Sequence, residues 1–392
     1  MTMSEEAALI AWSAMAEPAD EAAGALVAAI GAADALEWVR CGSESLAGAA
    51  ASLHGRCARE VAKVAVVAHE RWERRLIVAE EPHFRRALAV GAIVVTRGSP
   101  GWPSALASLG TSEPFALYAR GSANLDAAWS GGVAIVGARS STAYGSHMAA
   151  ELSSGVAAAG RAVLSGGAYG IDASAHRSAL AADGPTVAVM AGGVDRLYPT
   201  GNDALLRAVM DQGAVVSEVP PGFAPHRSRF LTRNRLIGAA KATIVVEAAL
   251  RSGALSTARH AAALLRPIGA VPGPATSPSS AGCHALIRDG IAVLVARVDD
   301  VLELVDTATE WAGREVDQAD GRGEWGRWRL EPPSFEYPSD RAVYDVTSTR
   351  ALPIDRVAER SGLAWSDATS AAGRLELRGL IERTRGGWKR VK

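Results

Sequence analysis

The sequence predicts an α/β protein built around a doubly wound, mostly parallel sheet, and two observations support this prediction. Seven short apolar runs follow one another between residues 133 and 295, and each leads into a turn and an amphipathic segment. The runs are continuously apolar rather than alternating, which is typical of strands covered by helices on both faces. They are VAIVG (133–137), AVLS (162–165), TVAVMA (186–191), AVVSE (214–218), TIVVEA (243–248), PIGAVP (267–272) and IAVLV (291–295).

Composition narrows the class of protein. A chain of 392 residues exceeds what one hydrophobic core usually serves, which predicts two or three domains. The formal net charge of -1 excludes a uniformly basic surface, so any nucleic-acid site must be a local patch. The cysteines Cys41, Cys57 and Cys283 form no CxxC pair, which argues against a disulfide framework and a zinc site. An acidic N-terminus and the lack of an apolar run of about 18 residues predict a cytoplasmic protein without a membrane span.

The chain is predicted to have three folded regions and a linker. Residues 1–80 are rich in alanine and carry apolar residues at helical spacing, which predicts a small helical domain of the SAM or helix-hairpin kind. Residues 81–306 hold the α/β domain and the segment that leads into it. Residues 307–339 include EPPSFEYP and lack a sustained period, so we interpret them as a linker. Residues 340–392 show three short helical patterns and a hairpin, which predict a winged helix-turn-helix.

Ligands of doubly wound sheets bind beyond the carboxyl ends of the strands, where turns open into helix N-termini. The turn after the first apolar run contains Arg139, Ser140, Ser141 and Thr142. Hydroxyls and free amides at such a position suit a phosphate, although simple capping of the helix by Ser or Thr explains them equally well. Arg139 favours the phosphate, because a cation at a helix start needs an anionic partner.

The turn after the second run, SGGAYGID (165–172), nearly fits the dinucleotide fingerprint G-x-G-x-x-G, with Ser165 in place of the first glycine. The match is weak, because it follows the second strand and no acid ends a strand about 20 residues later. Gly166, Gly167 and Gly170 still permit close backbone approach to an anion or a nucleotide. A nicotinamide-dependent oxidoreductase remains an alternative on this ground alone.

A third candidate segment is SRFLTRNRLIGAAK (228–241), which carries Arg229, Arg233, Asn234 and Arg235. Arginines clustered at the crevice end of a sheet without nearby acids would repel one another unless they met an anion. The following strand leads to Ser252 and Gly253, which offer another hydroxyl and amide at a helix start.

Patterns typical of catalysis are missing from the sequence: it contains no G-x-x-x-x-G-K-[ST], H-E-x-x-H or G-x-S-x-G motif. Asp172 and His176 lie four residues apart, and we interpret them as a capping residue and a packed histidine. We therefore expect no enzyme activity, cofactor or metal. The enzyme alternative is a nucleotide-processing protein of the phosphoribohydrolase kind, with Glu247 as its acid.

The predicted winged helix carries an excess of basic residues over Glu376 and Glu382. Such an excess on a recognition helix, expected near 365–378, and on a wing would suit duplex DNA, which leaves a duplex-binding regulator as another alternative. A solvated C-terminal face explains it equally well. The basic residues are Arg374, Arg378, Arg383, Arg385, Lys389, Arg390 and Lys392.

The order of several motifs resembles that of the DNA-processing protein A (DprA, also called Smf) family across residues 100–305. The motifs are VAIVGARSSTAYG, VLSGGAYGIDASAH, AVMAGGVDRLYPTGN, FLTRNRLIGAAKATIVVEA, SGALSTARHA and AVPGP. The resemblance implies a Rossmann-like core that binds single-stranded DNA, forms a homodimer and hands the strand to the RecA recombinase during natural transformation or related recombination. It implies no catalysis. It places strand contacts at Arg139, Arg233 and Arg235, beside the 165–172 loop.

Three places depart from the family pattern, and one of them is residues 238–240, which read Gly-Ala-Ala where the family tends to Ala-Gly-Leu. Leu231 stands where the family usually has proline, and Thr200 stands where a basic residue is common. The departure at Thr200 predicts one weaker phosphate contact, and none of the departures removes an arginine of the core.

Overall fold

The apolar runs of the sequence form the central sheet. The computed structural model describes residues 3–41, 48, 52–313, 337–347, 351–378, 380–384 and 386–390. All seven runs become strands, and two strands that the sequence analysis did not identify precede them. In chain order the strands are β1 (Ile93–Thr96), β2 (Ala116–Gly121), β3 (Val133–Val136), β4 (Val163–Ser165), β5 (Thr186–Val189), β6 (Ala214–Ser217), β7 (Ala242–Val245), β8 (Ile268–Ala270) and β9 (Val293–Leu294).

The strand order is β1-β2-β6-β5-β4-β3-β7-β8-β9. The strands from β3 to β9 pair in parallel, whereas β2 pairs antiparallel with both β1 and β6. From β3, the chain proceeds to β4 on one side and returns on the other side as β7. The carboxyl ends of β3 and β7 therefore bound the crevice at which doubly wound sheets bind ligands.

Helices cover both faces of the sheet. Ala134 and Val136 of β3 pack into one core, and Val133 and Ile135 pack into another on the opposite face. This confirms the predicted doubly wound class. The helices of this unit are α1 (Glu5–Met15), α2 (Glu21–Ile30), α3 (Ala32–Cys41), α4 (Arg59–Glu73), α5 (Leu76–Ala79), α6 (His83–Ala89), α7 (Leu125–Gly131), α8 (Ala143–Ala158), α9 (Ile171–Ala181), α10 (Asp203–Gln212), α11 (Arg227–Gly238), α12 (Gly253–Ala263), α13 (Ala281–Arg288) and α14 (Val298–Gly313).

The N-terminal helices have their own hydrophobic core, in which Trp12 and Trp72 meet edge to face at 5.2 Å. This core also contacts the sheet, because Phe115 packs against Trp12 and the Ser13 hydroxyl lies 2.8 Å from that of Tyr118. The helices and the sheet belong to one compact unit, Met1–Glu315. Among the described residues no single helix is long and apolar enough to cross a membrane. Only α2 and α3 taken together have the length and composition of a span, and these two helices are bent by 111° relative to each other.

The second unit contains α15 (Pro338–Val346), α16 (Ile354–Ser361), α17 (Trp365–Leu377) and a hairpin of β10 (Ile381–Thr384) and β11 (Gly387–Arg390). Three helices followed by a hairpin are the predicted winged helix. Its core includes Val343, Val357, Leu375 and Trp388. The predicted linker is wrong at both ends, because α14 continues to Gly313 and α15 begins at Pro338. Residues 314–336 lie outside the described residues.

A buried arginine ties the N-terminal helices to α11. Arg229 donates to the Glu17 carboxylate through Nε at 3.0 Å and Nη2 at 2.9 Å, and Arg75 donates to the same carboxylate. Burial alone would raise the pKa of Glu17, but the hydrogen bonds and charges of Arg229 and Arg75 lower it overall. Because its pKa is lower in the folded protein, the ionised carboxylate stabilises the fold at pH values above the ordinary pKa of glutamate. This stabilisation is lost as the pH falls through the folded-state pKa.

We expect the Glu17→Gln variant to melt at a lower temperature than the wild type at pH 7, and the difference to be smaller at pH 3. The reason is that acid protonates Glu17 in the wild type and removes the same charge that the substitution removes. Thermal unfolding followed by circular dichroism at both pH values measures it. Glu6→Gln, an exposed position on α1, is the matched control. An equal difference at pH 7 and pH 3 would contradict the role of Glu17.

Candidate nucleic-acid interface

A pocket of about 250 Å³ opens at the carboxyl end of β3. The end of β3, the 165–172 loop, α11 and the start of α12 form its walls. Its polar side chains are Arg139, Asp172, Arg233, Asn234, Ser252 and Thr257, and its apolar side chains include Val136, Phe230, Leu231 and Ile237. The sequence-predicted candidates Arg139, Arg233, Asn234, Ser252 and Gly253 thus meet in one place, at the switch point of the sheet.

Arg233 is a buried cation in the pocket wall, with 5% of its surface exposed. Its Nη1 donates to the carbonyl of Gly166 at 2.9 Å and to that of Val189. Its Nε has no hydrogen-bond partner in the described part of the chain. Burial lowers the pKa of Arg233 to about 10, and the charge of Asp172 opposes this shift. The guanidinium therefore stays protonated at neutral pH and retains a positive charge that an anion would stabilise.

Asp172 lies in the first turn of α9 and accepts hydrogen bonds from the backbone amides of Gly166, at 3.1 Å, and Ala168, at 3.3 Å. Burial raises its pKa, against the lowering effect of Arg233 and of these amides. Because Asp172 is committed to the 165–172 loop, its main role is to hold that loop against the pocket. Its interpretation as a capping residue is wrong, because no side chain caps α9 and the amides that Asp172 accepts from precede the helix.

Arg139 supplies a second, exposed cation at the pocket. Its guanidinium carbon lies 5.5 Å from the centre of the Phe230 ring, and that of Arg233 lies 6.0 Å from the same ring. The charge of Arg139 lowers the pKa of Arg233, as expected of two neighbouring cations. Two like charges that converge on one opening favour an anionic ligand there.

The N-terminus of α12 lies on the far side of the pocket. Ser252 caps this helix by accepting a hydrogen bond from Ala254 N at 3.2 Å, and Asn234 Nδ2 donates to the carbonyl of Gly253 at 3.3 Å. Gly253 is exposed, and a Cβ placed there would meet no atom within 4 Å. The helix start adds partial positive charge next to the two arginines.

Thr142 of the predicted phosphate site binds other groups of the protein. Its amide donates to Glu247 Oε2 at 2.9 Å, its hydroxyl donates to Glu247 Oε1 at 2.6 Å, and its oxygen caps α8 at Gly145 N. A carboxylate of the protein therefore occupies the place expected for a ligand anion. A Cβ at Gly145 would lie 2.2 Å from the same carboxylate, which explains the glycine. Ser141 lies 2.8 Å from the Ser146 hydroxyl, and Ser140 is exposed.

The glycines of the second turn approach the protein itself rather than a ligand. Ser165, which was predicted to contact DNA, is buried and donates to Ile135 O at 2.7 Å. Gly166 gives its amide to Asp172 and its carbonyl to Arg233, and Gly167 is buried. Gly170 has φ +76°, and a Cβ there would lie 2.2 Å from the carbonyl of Ala138. Because these backbone groups already contact other parts of the protein, they do not support a dinucleotide site.

Two of the three predicted arginines serve the fold instead of the pocket. Arg235 donates to both carboxylate oxygens of Glu218, at 2.7 and 2.5 Å, and both side chains are buried. Arg229 is paired with Glu17, as described above. The expectation that this cluster lacks nearby acids is therefore wrong, because the chain folds Glu17 and Glu218 against it. Only Arg233 of the three lines the pocket.

The aromatic residues around the pocket were not predicted from the sequence. Phe230 lines it, and the ring of Tyr198 lies 5.6 Å from the Phe230 ring. Tyr169 follows Ala168, which also lines the pocket, and is 47% exposed. A signal was present, because Tyr169 lies inside a glycine turn and Phe230 inside the arginine segment.

The side chains proposed for an enzyme are committed to structural contacts. Glu247 is 2% exposed and holds Thr142, and it is not among the residues that line the pocket. His176 is buried beside Thr186, and burial lowers its pKa to about 3, with a further lowering by Arg233. No group of metal-binding side chains occurs within the residues that the structure describes.

Several basic residues of the winged helix bind the protein itself. Arg374 donates to the buried Asp340 at 2.6 Å, Arg390 donates to the carbonyl of Tyr344 at 2.6 Å, and Lys389 pairs with Glu382 at 2.8 Å. Fewer basic side chains of the winged helix are therefore available to DNA than the number of basic residues suggested. Arg378 and Arg383 are exposed, and Arg385 and Lys392 lie outside the described residues.

We expect Arg235→Met to lower the free energy of unfolding by about 3–5 kcal/mol, because it leaves the Glu218 carboxylate buried without its cation. Adding Glu218→Met should recover part of this loss, since the double variant buries no charge at that place. Denaturant unfolding of both variants provides the measurement. A double variant less stable than Arg235→Met would show that the ion pair is not the source of the effect.

The chain matches two family models. The model of DNA recombination-mediator protein A matches residues 93–306, and that of the DprA winged helix domain matches residues 332–387. A putative DNA processing protein DprA of Mycobacterium tuberculosis is 47% identical over 279 residues, which are 71% of this chain and 69% of that protein. Protein Smf of Escherichia coli K12 is 34% identical over 284 residues, which are 72% of this chain and 73% of that protein.

A solved structure agrees with these matches. The X-ray structure of DNA processing protein A (DprA) from Streptococcus pneumoniae has a TM-score of 0.58 and 27% identity, and the match covers 77% of this chain and 98% of that one. The family resemblance inferred from the motifs is thus confirmed, and the chain belongs to the DNA recombination-mediator protein A (DprA/Smf) family.

Proposed function

We propose that this protein binds single-stranded DNA, with the pocket at the end of β3 as the site of one backbone phosphate. The observation that carries the proposal is Arg233, a buried guanidinium that keeps its charge and whose Nε lacks a partner among the described residues. Arg139 and the start of α12 add positive charge from two other sides. Phosphate is the anion that suits such convergent donors.

The pocket favours one strand over a duplex. A volume of about 250 Å³ accommodates a phosphate and its sugar, whereas a double helix would have to be bound on a wide surface. Contacts with phosphate carry no sequence information, so we expect no strong preference for base sequence.

We further propose that the protein protects single-stranded DNA and helps load RecA onto it, without catalysis or a cofactor. Curated relatives from Streptococcus pneumoniae and Bacillus subtilis are named DNA processing protein DprA, which supports a role in handling DNA. A homodimer formed through the Rossmann-like core would present two pockets to one strand and raise its effective affinity. The cytoplasm is the compartment in which these partners would meet.

The winged helix is proposed to contact duplex DNA. Two exposed arginines support this role: Arg378, which follows α17, and Arg383, which lies on β10. In helix-turn-helix proteins the second helix of the motif enters the major groove, and here that helix is α17.

We expect Arg139→Ala to weaken binding of a single-stranded oligonucleotide and to reduce the slope of log affinity against log salt by about 0.7, the value for one phosphate on a single strand. Fluorescence anisotropy over a salt series measures both quantities. Arg161→Ala is the matched control. Arg161 precedes β4, so it lies at the amino ends of the parallel strands, opposite the pocket, where it pairs with Asp306. Equal binding and slope in wild type and Arg139→Ala would refute the site.

We expect the variant Arg378→Ala/Arg383→Ala to lose part of its affinity for duplex DNA while it keeps its affinity for a single strand. The reason is that it removes exposed charge from the winged helix and leaves the pocket intact. Gel shifts with single-stranded and duplex DNA of equal length test this. Arg356→Ala on α16, where Arg356 pairs with Glu359, controls for loss of charge elsewhere in the domain. Unchanged duplex binding would contradict the proposed contact.

A further inference from the structure

Three aromatic residues next to the pocket, Phe230, Tyr198 and Tyr169, make up what we call the aromatic line. Phe230 belongs to the pocket wall, and the Tyr198 ring lies 5.6 Å from it at an interplanar angle of 56°. Tyr169 lies against Gly201, three residues after Tyr198. Tyr169 and Tyr198 are 47% and 46% exposed, although the core of this unit is well packed. Both side chains therefore offer ring surface to a ligand.

The Tyr169 side chain is fixed in position. The Tyr169 hydroxyl accepts a hydrogen bond from Gly201 N at 3.3 Å, and a Cβ at Gly201 would lie only 2.5 Å from that oxygen. Asn202 donates to the carbonyls of Gly167 and Ala168, both at 3.0 Å, and so fastens this turn to the loop that carries Tyr169. Rings held in this way lose little conformational entropy when a ligand stacks on them.

The position of the rings identifies the ligand chemistry. Arg139 and Arg233 both lie over Phe230, so the aromatic line begins where the phosphate would bind. A strand held at a phosphate presents its neighbouring bases within a few ångströms of that point. Aromatic faces next to a cationic groove are the usual arrangement for bases that are not paired.

We propose that Tyr169 and Tyr198 form a stacking platform for the bases next to the phosphate held by Arg139 and Arg233. This inference rests on the proposed binding of single-stranded DNA. Only a strand whose bases are free can stack on the platform, because the bases of a duplex already stack on one another. The platform therefore selects single strands, while the arginines supply the electrostatic part of the affinity.

The test compares a labelled thymidine oligonucleotide with an abasic oligonucleotide of the same length and charge. Tyr169→Leu and Tyr198→Leu should bind the thymidine strand roughly 5- to 100-fold more weakly than the wild type, and the abasic strand equally well. Their salt slope should match that of the wild type, because no phosphate contact is removed. Tyr198→Phe keeps the ring and should retain binding.

Tyr144→Leu is the matched control, because Tyr144 is also exposed and its hydroxyl donates to the carbonyl of Pro272, away from the aromatic line. It should bind both strands like the wild type. If a leucine variant melts at a lower temperature, then Tyr169→Trp and Tyr198→Trp, which keep a ring, must bind the thymidine strand at least as tightly as the wild type.

Two results would overturn the inference and leave the proposed function standing. One is equal binding of thymidine and abasic strands by the wild type, and the other is a change in salt slope in the tyrosine variants like that of Arg139→Ala. A wild-type protein that binds neither strand would overturn the proposed function itself.

Discussion

The burial of Arg233 is the constraint on which the pocket depends. Its guanidinium enters a wall where the backbone carbonyls of Gly166 and Val189 accept its protons, so the glycine turn must approach it closely. Asp172 holds that turn in place through the amides of Gly166 and Ala168. Because a buried cation is costly unless it is compensated, these carbonyls and the charge of Asp172 keep the Arg233 guanidinium in the pocket wall.

The other charged contacts around the sheet keep this arrangement rigid. Arg235 and Glu218 neutralise each other within the core, and Arg229 fastens α11 to the N-terminal helices through Glu17. Glu247 similarly satisfies the start of α8 through Thr142. Many polar groups next to the pocket therefore bind other groups of the protein, and only a few are available to a ligand.

Much of the fold was predictable because the signal is local. Continuous apolar runs and the turns between them determine the strands, and every run became a strand at nearly the expected residues. The site was only partly predictable, since a charge run does not reveal its distant partners. Glu17 lies 212 residues from Arg229, and Glu247 lies 105 residues from Thr142. Sequence spacing identified turns that meet at the pocket but could not separate Arg233, which lines it, from Arg229 and Arg235.

Glycine turns also illustrate why a near match to a motif is a weak guide to a ligand. A glycine permits close backbone approach, but the approaching group is chosen by the tertiary structure. At Gly170 that group is the Ala138 carbonyl, and at Gly145 it is the Glu247 carboxylate. The same physical requirement that suits a dinucleotide thus serves here to pack two loops around Arg233. The position of the turns beside the switch point carries information about function, whereas the count of glycines does not.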